Sequence, residues 1–115
     1  MSLQKWSDRI WVVSLSADPA FSEELESLVP QMLEASPHPH VVLDLSGVKH
    51  INSANLSGLL RVRKAAIDSD TQLRLAAPLD PVWAIFLTTG LDKVFEFTPD
   101  VSTALAGLSM TPDQA

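Results

Sequence analysis

The sequence predicts a single α/β domain built on a four- to five-stranded mixed, mostly parallel sheet with its helices packed mainly on one face. Three observations carry this. Short β-branched runs alternate with amphipathic helical stripes, the order of strands joined by helical crossovers. The run VVLDL at residues 41–45 is nearly continuously apolar, as a strand buried on both faces requires. A length of 115 residues supports one core and is short for two. The domain is expected over residues 1–108, with 109–115 a frayed tail. Even cover of both faces of such a sheet would need more helices than the chain supplies.

Residues 3–7 are expected as an edge strand, with Ser7-Asp8-Arg9 as the turn, and IWVVSL at 10–15 as a central strand. Asp18-Pro19 marks a stop before a helix, with Ser22 as N-cap and Glu23, Glu24 and Glu26 in the first turn, where the helix dipole favours negative charge. Leu25, Leu28, Val29, Met32 and Leu33 form its apolar stripe, and Pro30 is expected to kink or divide it. The Pro-bracketed residues 36–40 read as a stiff linker. Residues 41–45 form the second strong strand. The helix at 53–68 is expected to present Leu56, Leu59, Leu60, Arg63, Ala66 and Ile67 on one face. LRLA at 73–76 is a third strand. Pro81 suits a helix start, Val82, Ile85, Phe86 and Thr89 give the stripe, and Gly90 suits the position after its end. VFEF at 94–97 alternates like a short last strand. Residues 100–108 form a terminal helix capped by Asp100 or Thr98, with Val101, Ala104, Leu105 and Leu108 inward.

Composition excludes several function classes. There is no cysteine, which removes disulfides, thiol catalysis and cysteine-ligated metal and fits a reducing cytoplasm. No charged and apolar leader opens the chain, and no apolar run approaches membrane-spanning length. Cytoplasmic location without membrane insertion is therefore expected. A formal net charge of −6 disfavours a sequence-independent grip on nucleic acid and suits a partner with a basic face.

Three constellations invite chemistry. Ser53 stands at a helix start, where a phosphate would meet unpaired N–H groups and the positive end of the dipole. It also fits a plain N-cap, as does Asn52, and spacing alone favours the cap. Asp44 lies in an apolar strand near its carboxyl end, the position of a phosphoacceptor in a receiver domain. That fold needs an acidic pair after its first strand and a later lysine. SADPA supplies only Asp18 and APLD supplies no lysine, so a hydrogen bond from Asp44 to the adjoining loop is the favoured role. His38, His40 and His50 match no zinc pattern and read as solvated loop residues, so no metal or other cofactor is expected. Ser53, His50 and Asp44 belong to one turn, whereas a hydrolytic triad draws its members from separate segments. No catalytic set is expected.

The stretch VVLDLSGVKHINSANLSGLLRVRKAA resembles the signature of the STAS domain family, found in bacterial anti-sigma factor antagonists and in sulfate-transporter C-terminal domains. The resemblance rests on Asp44-Leu45-Ser46-Gly47-Val48 and on Thr89-Gly90-Leu91-Asp92-Lys93-Val94-Phe95, and covers residues 10–108. It implies a regulatory, non-enzymatic protein-binding module. The partner implied is an anti-sigma factor or serine kinase, which phosphorylates the serine aligned with Ser53 and so inactivates the antagonist. The switch loop and partner-binding residues implied are Asp44, Asn52, Ser53, Ala54, Asn55 and Leu56, with the docking face continuing to Gly58. Two positions depart from the family pattern. Asn52 replaces its Asp and removes a charge beside the hydroxyl. Asn55 replaces its Gly and is expected to obstruct close approach of a partner. The other role open to the fold is a STAS subunit of a larger assembly, a lipid-transport ABC complex or a stressosome-like particle.

Overall fold

The computed structural model describes residues 2–17 and 19–109. Asp18 and the tail residues 110–115 lie outside the described residues, so the stop expected at Asp18 and most of the expected tail go undescribed. The element order is β1 Ser2–Lys5, β2 Ile10–Ser14, α1 Ala20–Glu34, β3 His40–Asp44, α2 Ser53–Asp68, β4 Leu73–Ala76, α3 Asp80–Thr89, a 3-10 turn Leu91–Lys93, β5 Phe97–Thr98 and α4 Val101–Ser109. The strands lie in sequence order in one five-stranded sheet. β1 runs antiparallel to β2, with Lys5 opposite Trp11. The other pairs are parallel, with Ser14 opposite Asp44, Asp44 opposite Ala76, and Ala76 opposite Thr98.

The period-2 alternation of the strands feeds two unequal cores. Trp11, Val13, Leu15, Val41, Leu43, Leu45, Leu73 and Leu75 point to the larger one, which α1, α2 and α3 close with Phe21, Leu25, Leu28, Leu59, Val62 and Phe86. Ile10, Val12, Val42 and Ala76 point to the other face, where α4 covers them with Ala104 and Leu108. Three helices on one face and one on the other is the predicted architecture, with β3 at its centre.

Local chemistry shifts several expected boundaries. β1 ends at Lys5 because the Ser7 hydroxyl takes over the chain, accepting from the N–H groups of Arg9 (3.2 Å) and Ile10 (3.1 Å). Pro30 lies inside α1, which continues unbroken past it with Leu28 and Met32 buried on either side. Leu33, expected inward, is exposed. His40 is no solvated loop residue: it opens β3, is buried, and its Nδ1 accepts from the Gln72 N–H at 2.9 Å. Ile85 and Thr89 of α3 face outward, leaving Val82 and Phe86 buried. The strand expected at 94–97 survives only as Phe97–Thr98. Gly90, at φ 78°, turns the chain into the 3-10 turn, and the N–H groups of Val94 (3.0 Å) and Phe95 (3.2 Å) bond the Leu91 carbonyl instead of a ladder. Phe95 then packs edge-on against Phe86, as does Phe97. α2 ends in a Schellman motif without glycine. Asp70 takes the left-handed position at φ 57°, while Asp70 N–H bonds Ile67 O at 3.1 Å and Thr71 N–H bonds Ala66 O at 2.9 Å.

Candidate functional site

The candidate site forms where β3 leaves the sheet at its carboxyl end and the chain climbs into α2. Asp44 ends β3, half-buried, and its Oδ1 accepts from the Ser46 N–H at 2.9 Å. This is the loop-bracing role favoured from the sequence. Val48 N–H then bonds Leu45 O at 2.9 Å, and Val48 is buried in the larger core. A Cβ at Gly47 would fall 3.1 Å from the Leu15 carbonyl oxygen, so the turn runs close against the end of β2.

At the helix start the cap is Asn52, not Ser53. Asn52 is extended (φ −125°, ψ 179°) and accepts from the Asn55 N–H at 2.9 Å, while the Asn55 side chain accepts from the Asn52 N–H at 3.0 Å. Two asparagines thus make a reciprocal capping box, a motif whose fourth residue is more often Glu or Gln. Ser53 is therefore the first helical residue. It is exposed, and its hydroxyl makes no hydrogen bond to a described residue. Ala54 is exposed beside it and Leu56 is half-buried against the larger core.

Asn55 corrects a sequence expectation. Its side chain does not stand in the way of an approaching partner; the residue is 1% exposed and points inward. Its Nδ2 donates to Ser22 Oγ of α1 at 3.0 Å. Ser22 is consequently not the N-cap of α1. That helix starts at Ala20 behind Pro19, with no side-chain cap, and the hydroxyl faces α2. Glu24, expected at the helix dipole, is likewise buried and accepts from the Ser16 N–H at 2.8 Å. Nothing in a single sequence pairs Ser22 with Asn55, 33 residues away. The one signal was a polar residue on a face otherwise reserved for Gly58, Leu59 and Val62.

The helix is also turned relative to expectation. Its buried side carries Asn55, Gly58, Leu59, Val62, Ala65 and Ala66, whereas Leu60 is 39% and Ile67 is 57% exposed. Gly58 sets this rotation, since a Cβ there would come 2.9 Å from Leu25 Cδ1 of α1. Gly58 is therefore part of the α1–α2 contact and not of an outward docking face. Arg63 is half-buried, its Nε donating to Val94 O at 3.2 Å.

Among the described residues no hydrogen bond joins Asp44, His50 and Ser53, so they form no hydrolytic triad. Among the described residues no three His, Cys, Asp or Glu side chains cluster to hold a metal, and no helix is long and apolar enough to cross a membrane.

A family model described as STAS domain matches residues 8–104. Solved structures share the fold at low identity. An anti-sigma-factor antagonist (STAS) domain protein from Planctomyces limnophilus superimposes with a TM-score of 0.80 at 17% identity, covering 94% of this chain and 97% of that one. A variant of Moorella thermoacetica RsbS gives 0.80 at 18%, covering 94% and 93%. A chain of the stressosome, described as a signal integration and transduction hub, gives 0.75 at 18%, covering 94% and 96%.

Proposed function

The chain belongs to the STAS domain family, and on that premise we propose that it is a regulatory binding module without catalytic activity, an anti-sigma factor antagonist of the cytoplasm. Its partner is an anti-sigma factor with serine-kinase activity, and phosphorylation of Ser53 switches the complex off. One observation carries the reading: Ser53 is presented as a bare, exposed hydroxyl because Asn52 and Asn55 do all the capping. A serine that capped its own helix would have to give up that bond to be modified.

The chemistry of the switch follows from the location. Phosphorylation adds a charge of about −1.5 to −2 at neutral pH. At the first turn of α2 the dianion meets the positive end of the helix, so the modified domain remains folded. A partner that fitted a neutral hydroxyl there would have to desolvate the phosphate, and the interface is lost. Asn52 keeps the cap but removes the charge that the family's Asp places beside the hydroxyl.

The test is incubation with the cognate kinase and ATP, followed by intact mass. The wild type is expected to gain one phosphate and Ser53→Ala none. A Ser53→Ala variant that is still phosphorylated rules out the site. Tight kinase binding with no phosphate on the wild type would instead point to a constitutive antagonist. A second reading is a STAS subunit that does not switch, held in a stressosome-like or lipid-transport ABC assembly, and transporter components encoded beside this chain would favour it. The resemblance to a stressosome chain and the replacement of the family's Asp by Asn52 support that second reading.

A further inference from the structure

The Ser53 hydroxyl is exposed, but the backbone that carries it is held from inside the fold. Ser22 lies in the first turn of α1 and is half-buried. Its helix starts without a side-chain cap, so this hydroxyl does no service at its own helix end. It accepts instead from Asn55 Nδ2 of α2 at 3.0 Å. Asn55 is 1% exposed, and its Oδ1 accepts from the Asn52 N–H at 3.0 Å. Asn52 is bonded directly to Ser53. Two hydrogen bonds therefore lead from α1 to the residue that precedes the hydroxyl.

Helix packing makes this reach possible. Leu25 follows Ser22 by three residues on α1, and Gly58 follows Asn55 by three on α2, so each pair shares a helix face. A Cβ at Gly58 would fall 2.9 Å from Leu25 Cδ1. One turn away from that close approach, the short Asn55 amide spans the gap to Ser22. Gly58 sets the distance between the helices and Asn55 uses it.

We propose that Ser22 is a positioning residue for the modification of Ser53, acting through the Asn55 amide on the backbone that presents the hydroxyl. A buried amide held at both ends has one orientation. Without the Ser22 acceptor the Asn55 side chain loses its inward hold, and the Asn52 N–H loses a fixed partner. The reverse bond, from the Asn55 N–H to Asn52 Oδ1 at 2.9 Å, does not involve Ser22, so α2 stays capped and folded. What changes is the placement of Ser53. In the transfer, Ser53 Oγ bonds to the γ-phosphorus of ATP, the bond to ADP breaks, and the hydroxyl proton passes to a base of the kinase. Such a step is sensitive to displacements of about 1 Å in the nucleophile.

The proposal rests on the reading of Ser53 as the phosphoacceptor, and its test separates the two. Steady-state phosphorylation by the purified cognate kinase with ATP is measured for the wild type, Ser22→Ala, Asn55→Ala and the double variant. Circular dichroism confirms that each is fully folded at the assay temperature. Ser27→Ala, an exposed serine of α1, and Leu108→Ala, a core truncation under α4, are the controls. Ser22→Ala is expected to lower kcat about tenfold with KM within about twofold, the pattern of a misplaced nucleophile. The double variant should be no slower than Asn55→Ala by more than about twofold, because both changes cut one path. Leu108→Ala should keep kcat within about twofold although it costs more stability than Ser22→Ala, which separates placement from stability. Wild-type kcat in Ser22→Ala, a rise in KM alone, losses that multiply in the double variant, or an equal loss in Leu108→Ala each overturn the positioning role and leave Ser53 as the acceptor. A wild type that gains no phosphate overturns both.

Discussion

Ser53 and Asn52 illustrate how one hydrogen bond separates a structural residue from a chemical one. Both are good N-cap residues, and sequence alone could not choose between them. The choice is made by Asn55, whose N–H bonds Asn52 and whose own oxygen bonds back. Asn52→Ala should therefore cost about 1 kcal/mol of stability in urea unfolding, while Ser53→Ala should stay within about 0.5 kcal/mol of wild type. Equal losses in the two would return the cap to Ser53. Asn55 matters more than either, because its buried amide serves the cap and α1 at once. Asn55→Ala should cost about 2 kcal/mol and Ser22→Ala about 1. The double variant should lose less than their sum by at least about 0.5 kcal/mol, the signature of a direct contact. This coupling was invisible in the sequence. Capping is local and readable, but the Ser22–Asn55 bond exists only because α1 packs on α2, which is a property of the fold.

At the scale of elements, the sequence was read well where a stripe or an alternation is buried and badly where backbone geometry intervenes. The runs at 10–15, 41–45 and 73–76 became strands within one residue because burial on both faces leaves no other use for such side chains. The last strand was misplaced because Val94-Phe95-Glu96-Phe97 alternates correctly while Gly90 and the 3-10 turn occupy half of it. The rotation of α2 escaped because Gly58 defines its inward face by close approach, not by hydrophobicity. Ala77 marks another such place. It joins β4 to α3 at φ 56°, and its N–H bonds Thr98 O at 3.1 Å. Left-handed backbone costs a residue with a Cβ roughly 1–2 kcal/mol, more than the roughly 0.5–1 kcal/mol of extra chain entropy glycine brings. Ala77→Gly should accordingly raise the thermal midpoint by a few degrees; a fall would show that the turn is unstrained. α4 supplies a pH-dependent case. Asp100 caps it, its Oδ1 accepting from the Thr103 N–H at 2.7 Å, and this bond holds its carboxyl below the ordinary value. A carboxyl with a lowered folded pKa stabilises above its unfolded value and loses that contribution as pH falls through the folded one. The Thr103 amide should lose exchange protection in that acid window in the wild type. In Asp100→Asn, which caps without titrating, that loss should be absent.

The whole molecule is asymmetric in a way that orders its stability. Among the described residues, one face of the sheet is closed by three helices and a continuous core, the other by α4 alone over Ile10, Val12, Val42 and Ala76. A helix of nine residues has little stability of its own and depends on that patch. The β3 amides, by contrast, sit at the centre of the sheet and exchange only when everything opens. α4 should therefore open in a local event while the sheet and the Ser53 turn remain folded. Two core truncations distinguish this from global unfolding. Leu59→Ala removes a side chain that stays buried when α4 lifts, so it destabilises the native and the α4-open states alike. Protection of β3 amides should fall by about 2–5 kcal/mol, while protection of α4 amides is unchanged. Leu108→Ala removes a contact present only in the closed state, so protection should fall by the same amount in both elements. Native-state hydrogen exchange reads both. If Leu59→Ala lowers α4 protection as much as that of β3, α4 opens only with the whole domain, and the two cores are one cooperative unit despite lying on opposite faces of the sheet.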